Sequence, residues 1–416
     1  MKRARTMSDL RGFSRLAVEA TVAMTDLVEE VHRSVTSVPE VGKPDPARRK
    51  RMRGITGFVY RTVRRITHWV GHSVDGGLAQ LQPLLLTQPA TVPPSSAPVS
   101  PHRDAILAAL NGVLGDHLEA TGNPLAIPMT FRRHGRELDA KQERGNRMLL
   151  LLHGLCRSDL QWSRKGHDHG ARLASELGFT PVYLHYNSGR PVATNGNELA
   201  MRLDSFVADW GGPLGEIVVI AHSMGGLVMR SACQVAEREK LAWLGKLRQI
   251  VFLGTPHHGA PLERGGNWVT LALDASSYTA AFARLGRIRS AGITDLRFGQ
   301  VTALRGGDRF APGSGHREIV PLPRGVACYA IAATLAKSPQ AAVTASAMAA
   351  AKAVLGDGLV PLASALGDDT DPARALAIPA DRRCILRGRN HLDLLDRSEA
   401  YEQLRSWLAE TPVATL

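Results

Sequence analysis

Ile217-Val218-Val219-Ile220-Ala221-His222-Ser223-Met224-Gly225-Gly226-Leu227-Val228-Met229-Arg230 is an apolar run that breaks on a small-X-Ser-X-Gly turn and resumes as a helix-forming segment. The β-branched run reads as a buried strand, so the turn places Ser223 at the apex of a strand-to-helix corner, exposed as a nucleophile. Ala221 and Gly225 flank the apex where the two backbones nearly touch, and larger side chains there would clash. Glycine is the usual first residue of such a turn, so Ala221 is a mild departure. Gly226 extends the small-residue pattern into the helix, and His222, beside the serine, is expected to pack or hydrogen-bond at the corner rather than act as a base.

A hydroxyl is a poor nucleophile near neutral pH, so Ser223 needs a base, and the base needs a carboxylate to fix its tautomer. Downstream, Leu355-Gly356-Asp357-Gly358-Leu359-Val360-Pro361 places Asp357 in a Gly-flanked loop after the apolar 326–335. Asn390-His391-Leu392-Asp393-Leu394-Leu395 follows the short strand pattern of 383–386 and precedes an amphipathic final helix, which makes His391 the candidate base. Asp308, Asp368 and Asp369 compete with Asp357 as the orienting acid. Oxyanion stabilisation calls for two backbone N–H groups, one after the nucleophile and one from a loop after an earlier strand. By position these are Met224 and Leu155, the latter in the His153-Gly154-Leu155 loop that ends the apolar 147–152; His153 and Gly154 shape that loop.

Leu-Leu-His-Gly-Leu at 151–155, Ala-His-Ser-Met-Gly-Gly at 221–226, Leu-Gly-Thr-Pro-His-His-Gly at 253–259, Gly-Asp-Gly-Leu-Val-Pro at 356–361 and Asn-His-Leu-Asp-Leu-Leu at 390–395 together resemble the α/β-hydrolase superfamily. Within it, the Thr-Pro-His-His-Gly segment and the Ala-for-Gly corner are similar to bacterial triacylglycerol lipases and the branch that includes GPI-inositol deacylases. The resemblance covers about 145–412 and implies a mostly parallel central sheet with helices on both faces and a helical cap insertion at about 260–325. It implies an esterase or lipase of lipid metabolism that cleaves carboxylic esters with apolar acyl chains through Ser223, His391 and Asp357, with no metal or organic cofactor. An acyltransferase using the same residues, or a non-catalytic binding protein on the same fold, is the alternative, since one scaffold hosts many chemistries.

Other polar clusters read as structural. Adjacent His257 and His258 lack the i, i+4 spacing of a zinc-binding helix, His167-Asp168-His169 reads as a polar loop, and Cys156 as a small packing residue. Four scattered cysteines without a CxxC pair suit a reducing compartment, with Cys328 and Cys384 both on strand patterns, where a sheet could place them close together.

The order β-α-β over 147–253 argues for a parallel sheet covered on both faces. Upstream, apolar positions spaced by three and four over 8–36 and 55–74 predict a helical hairpin within 1–90, followed by the Pro/Ser-rich linker 91–101, a helix over 102–121 and an early strand at 129–134 within 102–144, and the catalytic domain over 145–416. The formal net charge is +13, and 1–100 carries 15 Lys and Arg against 8 Asp and Glu, densest at Arg48-Arg49-Lys50-Arg51-Met52-Arg53. Such a run attracts polyanions; with no nucleic-acid-binding motif beside it, peripheral contact with an anionic membrane is expected. With no visible secretory signal and no long uncharged span, a cytoplasmic protein is the expectation. Within the cap, Trp268, Leu271, Leu273, Tyr278 and Phe282 are candidate lining of an acyl pocket.

Overall fold

The computed structural model describes residues 8–22, 65, 67, 100–260, 290–303, 318–337 and 356–409. The second helix of the predicted hairpin, the basic run, Asp308 and the cap residues at 267–285 lie outside them, as does nearly all of the linker. The chain divides into two compact units, Met1–Pro98 with Leu118–Leu125, and Val99–His117 with Ala126–Leu416. In the first, a helix over 8–22 (α1) meets the 118–125 segment: Asn123 Nδ2 donates to Gly12 O at 3.1 Å, and a Cβ on Gly12 would lie 2.4 Å from Leu125 Cγ.

The second unit is built on one eight-stranded sheet of order β2-β1-β4-β3-β5-β6-β7-β8. β1 (Thr130–Arg133) pairs antiparallel with β2 (Arg136–Glu137) and β4 (Thr180–His185); β3 (Arg147–Leu152), β4, β5 (Glu216–His222), β6 (Leu247–Leu253), β7 (Ala327–Thr334) and β8 (Arg383–Arg387) run parallel. Parallel strands buried on both faces read as continuous apolar runs, and Leu149 to Leu152 and Ile217 to Ala221 are fully buried. Alternate residues serve opposite faces. Leu149, Leu151, Val218, Ile220, Val251 and Leu253 join Leu173 of α3 (His169–Leu177) and Tyr401, Leu404 and Trp407 of α6 (Ser398–Ala409) in one core. Elsewhere α4 (Val192–Ala208) and α5 (Met224–Glu239) approach so closely that a Cβ on Gly196 would lie 2.3 Å from Ser231 Cβ.

α2 (Pro101–Ala120) carries a role that its periodicity did not announce. A Cβ on its Gly112 would sit 2.9 Å from Cys156 N, Asn111 Oδ1 accepts from Ile127 N at 2.9 Å, and Asn187 Nδ2 donates to Gly115 O at 2.9 Å. Its middle turns therefore lie against the loop that follows β3.

Two readings need correction. His167-Asp168-His169 is no mere polar loop: Asp168 caps α3 by accepting from Ala171 N at 2.9 Å, and His169 opens the helix fully buried, bonded to Leu394 O at 2.9 Å. Cys328 and Cys384 are not neighbours: Cys328 pairs with Ile250 and Cys384 with Ile331, and all four cysteines are free. Among the described residues, no helix is long and apolar enough to cross a membrane.

Candidate active site

Leu152 pairs with Ala221 in register, so β3 and β5 end together and release their following loops at the same edge of the sheet, where open parallel sheets carry their sites. Ser223 follows β5 with φ 54° and ψ −123° and caps the start of α5. A non-glycine residue in this region carries about 1–3 kcal/mol of strain and persists only where its surroundings hold it. Here Ser223 N donates to Leu253 O at 2.8 Å and Gly226 N donates to Ser223 O at 3.1 Å. Close packing explains the glycines: a Cβ on Gly225 would lie 2.7 Å from Leu152 O, and one on Gly226 would lie 2.1 Å from Thr255 Oγ1.

The loop after β3 meets this corner. A Cβ on Gly154 would lie 3.0 Å from Ser223 Cβ. Tyr186 Oη donates to His153 O at 2.8 Å, and Ser188 Oγ accepts from Cys156 N at 3.0 Å, which fixes the backbone on both sides of Leu155. Cys156 is buried, and burial pushes its thiol up to about 12, so it packs as an inert side chain.

Asp357 and His391 come together although 34 residues apart in sequence: His391 Nδ1 and Asp357 Oδ2 are 2.6 Å apart, both side chains buried. The other carboxylate oxygen accepts from Leu359 N at 3.0 Å and Val360 N at 2.8 Å, and His391 N donates to Asp357 O at 3.2 Å. Asn390 caps the 3₁₀ turn His391–Leu395 that carries the histidine. The His391 ring lies against Gly254, where a Cβ would be 3.0 Å from its Cε1, and its centroid is 4.7 Å from that of His222, the residue preceding Ser223. His391 Nε2 is buried with no partner in the protein. The competing acids are engaged elsewhere: Asp368 bonds Arg383 Nη1 at 2.7 Å, and Asp369 lies 3.5 Å from both His258 Nδ1 and Arg374 Nε.

Sequence reasoning missed the polar support of this edge. Asp159, buried behind the β3 loop, lies 2.9 Å from His185 Nδ1 and 3.5 Å from Arg132 Nη1. His153 Nε2, Ser158 Oγ, Trp162 Nε1 and His222 Nε2 are buried without partners and border one cavity of about 10 Å³. A far larger cleft, about 670 Å³, is lined by His258, Phe298, Ser364 and Asp369 and includes neither Ser223 nor His391.

Burial keeps the surrounding histidines neutral. It lowers His153 to about 3 and His169 to about 4, and pushes His222 and His257 well below 6.5. Because the unfolded chain then binds protons that the folded one refuses, stability is expected to fall as pH drops below about 6.5 toward those lower values. Melting temperatures between pH 7.5 and 5 test this; His169→Phe should flatten the slope, and an unchanged slope in that variant would remove His169 from the effect.

Residues 127–302 match a family model described as Domain of unknown function (DUF7379). No curated protein matches the chain. Solved structures similar to it include a lipase of Bacillus licheniformis in its mature form, at 16% identity and TM-score 0.40 over 68% of this chain and 98% of that one. The same lipase in its propeptide form gives 15% and 0.42, over 70% of this chain and 55% of that one. An esterase from Thermogutta terrifontis gives 13% and 0.34, over 68% and 93%. Judged on its own architecture, with parallel strands β3 to β8, a serine on a strained corner after β5, and a carboxylate and a histidine supplied by the loops after β7 and β8, the chain is an α/β-hydrolase by fold.

Proposed function

We propose that this protein is a serine hydrolase that cleaves carboxylic esters with apolar acyl chains. The observation that carries the reading is the buried 2.6 Å contact between His391 Nδ1 and Asp357, which leaves Nε2 unpartnered on a ring 4.7 Å from that of His222, the residue before Ser223. A carboxylate on Nδ1 holds the hydrogen there, so Nε2 presents a lone pair and can take the proton of a serine hydroxyl.

Ser223 Oγ attacks the ester carbonyl carbon while its proton passes to His391 Nε2. Charge gathers on the carbonyl oxygen, where the N–H groups of Leu155 and Met224 receive it. Collapse of this intermediate breaks the bond to the alcohol oxygen, which leaves with the proton from His391. Water then attacks the acyl-enzyme, giving its proton to the same nitrogen, and Ser223 departs reprotonated with release of the acid. Asp357 stays ionised throughout and stabilises the imidazolium. Gly154, Gly225 and Gly226 permit the close backbone approach that aims the two N–H groups; His153, Ala221 and His222 frame the corner. The basic N-terminal region is proposed to draw the enzyme to anionic lipid surfaces.

A p-nitrophenyl ester series from acetate to palmitate tests the reading. Hydrolysis that rises with chain length supports an apolar acyl site; a preference for acetate would restrict the enzyme to small esters, and inactivity at every length would overturn the proposal.

A further inference from the structure

Arg230 lies on α5 about two turns beyond Ser223 and is only 4% exposed. Its Nη2 donates to Val320 O and its Nη1 to His257 Nδ1 at 3.4 Å, while Nε is buried without a partner. Among the described residues, the ionisable groups that face it are the thiols of Cys233 and Cys328 and the imidazoles of His257 and His258, and no carboxylate forms an ion pair with it. Burial lowers the guanidinium to about 10, which leaves it a cation at neutral pH. A buried cation with no counter-ion pays for its lost hydration, so the environment is poised for an anion.

The second donor follows from the first contact. Because His257 Nδ1 accepts from Arg230, the ring hydrogen sits on Nε2, and that atom is buried without a partner as well. The His257 ring stands edge-on to Phe252 at 4.7 Å, which holds it in place. Arg230 and His257 border one cavity of about 30 Å³, closed by Gln300 and Val320 and with Arg374 at its margin. Glu318 also borders it, but its carboxylate accepts from Gln234 Nε2 at 3.4 Å; Arg374 Nε lies 3.5 Å from Asp369. The volume holds about two water-sized groups, room for the two oxygens at the carboxylate end of a small acid.

We propose that this cavity binds a small monocarboxylate, one oxygen on Arg230 Nε and the other on His257 Nε2. Both contacts are donor to anion, and the Arg230 contact is charge-assisted. The site uses neither Ser223 nor His391, so it stands whether or not the chain hydrolyses esters.

The test is thermal unfolding and calorimetry of the full chain with sodium acetate against sodium chloride at equal ionic strength. Acetate should raise the melting temperature saturably where chloride does not, and calorimetry should give a matching binding isotherm. Arg230→Met should abolish the shift. His257→Phe, which keeps the ring on Phe252 and removes the donor, should weaken acetate at least tenfold and carries the comparison if Arg230→Met does not fold. Equal shifts with acetate and chloride in the wild type, acetate binding unchanged in His257→Phe, or stabilisation by phosphate but not acetate would overturn the assignment.

Discussion

Ser223→Ala is expected to lower kcat/KM on any ester the wild type hydrolyses by roughly 10³- to 10⁶-fold while leaving the melting temperature close to that of the wild type. The magnitude follows from what remains: with the hydroxyl gone, binding and the Leu155 and Met224 N–H groups still act, but no acyl-enzyme forms. The fold should survive because the contacts that hold the corner, Ser223 N to Leu253 O and Gly226 N to Ser223 O, are backbone bonds that alanine retains. A fluorophosphonate probe should label the wild type at Ser223 and leave the variant unlabelled. Turnover within tenfold of wild type in the folded variant would exclude Ser223 as the nucleophile.

Asp357→Asn should cost about 10³- to 10⁴-fold in kcat with little change in KM, a loss that comes from tautomer rather than charge alone. Leu359 N and Val360 N both donate to Oδ1, so the amide oxygen of the variant must take that position. Its NH₂ then faces His391 Nδ1, which must turn acceptor, and the ring hydrogen moves to Nε2, where it blocks proton transfer from Ser223. Nitrogen-resolved NMR of the ring should report Nδ1–H in the wild type and Nε2–H in the variant. A variant with near-normal turnover would assign the orienting role elsewhere.

How much of this was legible in the sequence depended on how local each constraint is. The Ser223 corner announces itself because a parallel strand buried on both faces must be an apolar run, and the steric demands of the turn fall on adjacent positions, Ala221 and Gly225. Asp357 and His391 could be named because glycines and a capping asparagine, Gly356, Gly358 and Asn390, mark their loops. Their pairing was an expectation until the parallel β7 and β8 brought the two loops together. What escaped was long-range and polar. Nothing beside Asp159 signals His185, nothing beside His169 signals Leu394, and Arg230 reads as an ordinary helix former although its side chain is buried. A charged residue on an otherwise apolar helix face was the available hint for Arg230, since buried arginines are rare without a partner.

The contact between Gly112 of α2 and Cys156 bears on where a working fragment of this protein can begin. The motifs that resemble hydrolases start near 145, and a truncation designed on them would cut away the helix that backs the Leu155 loop. Such a fragment would keep the serine, the histidine and the aspartate, and still present apolar Leu107, Leu110 and Leu114 partners to water, with Asn187 stripped of its bond to Gly115. Expression boundaries placed at about 100 keep that helix with the sheet unit; boundaries placed at the first recognisable motif remove it.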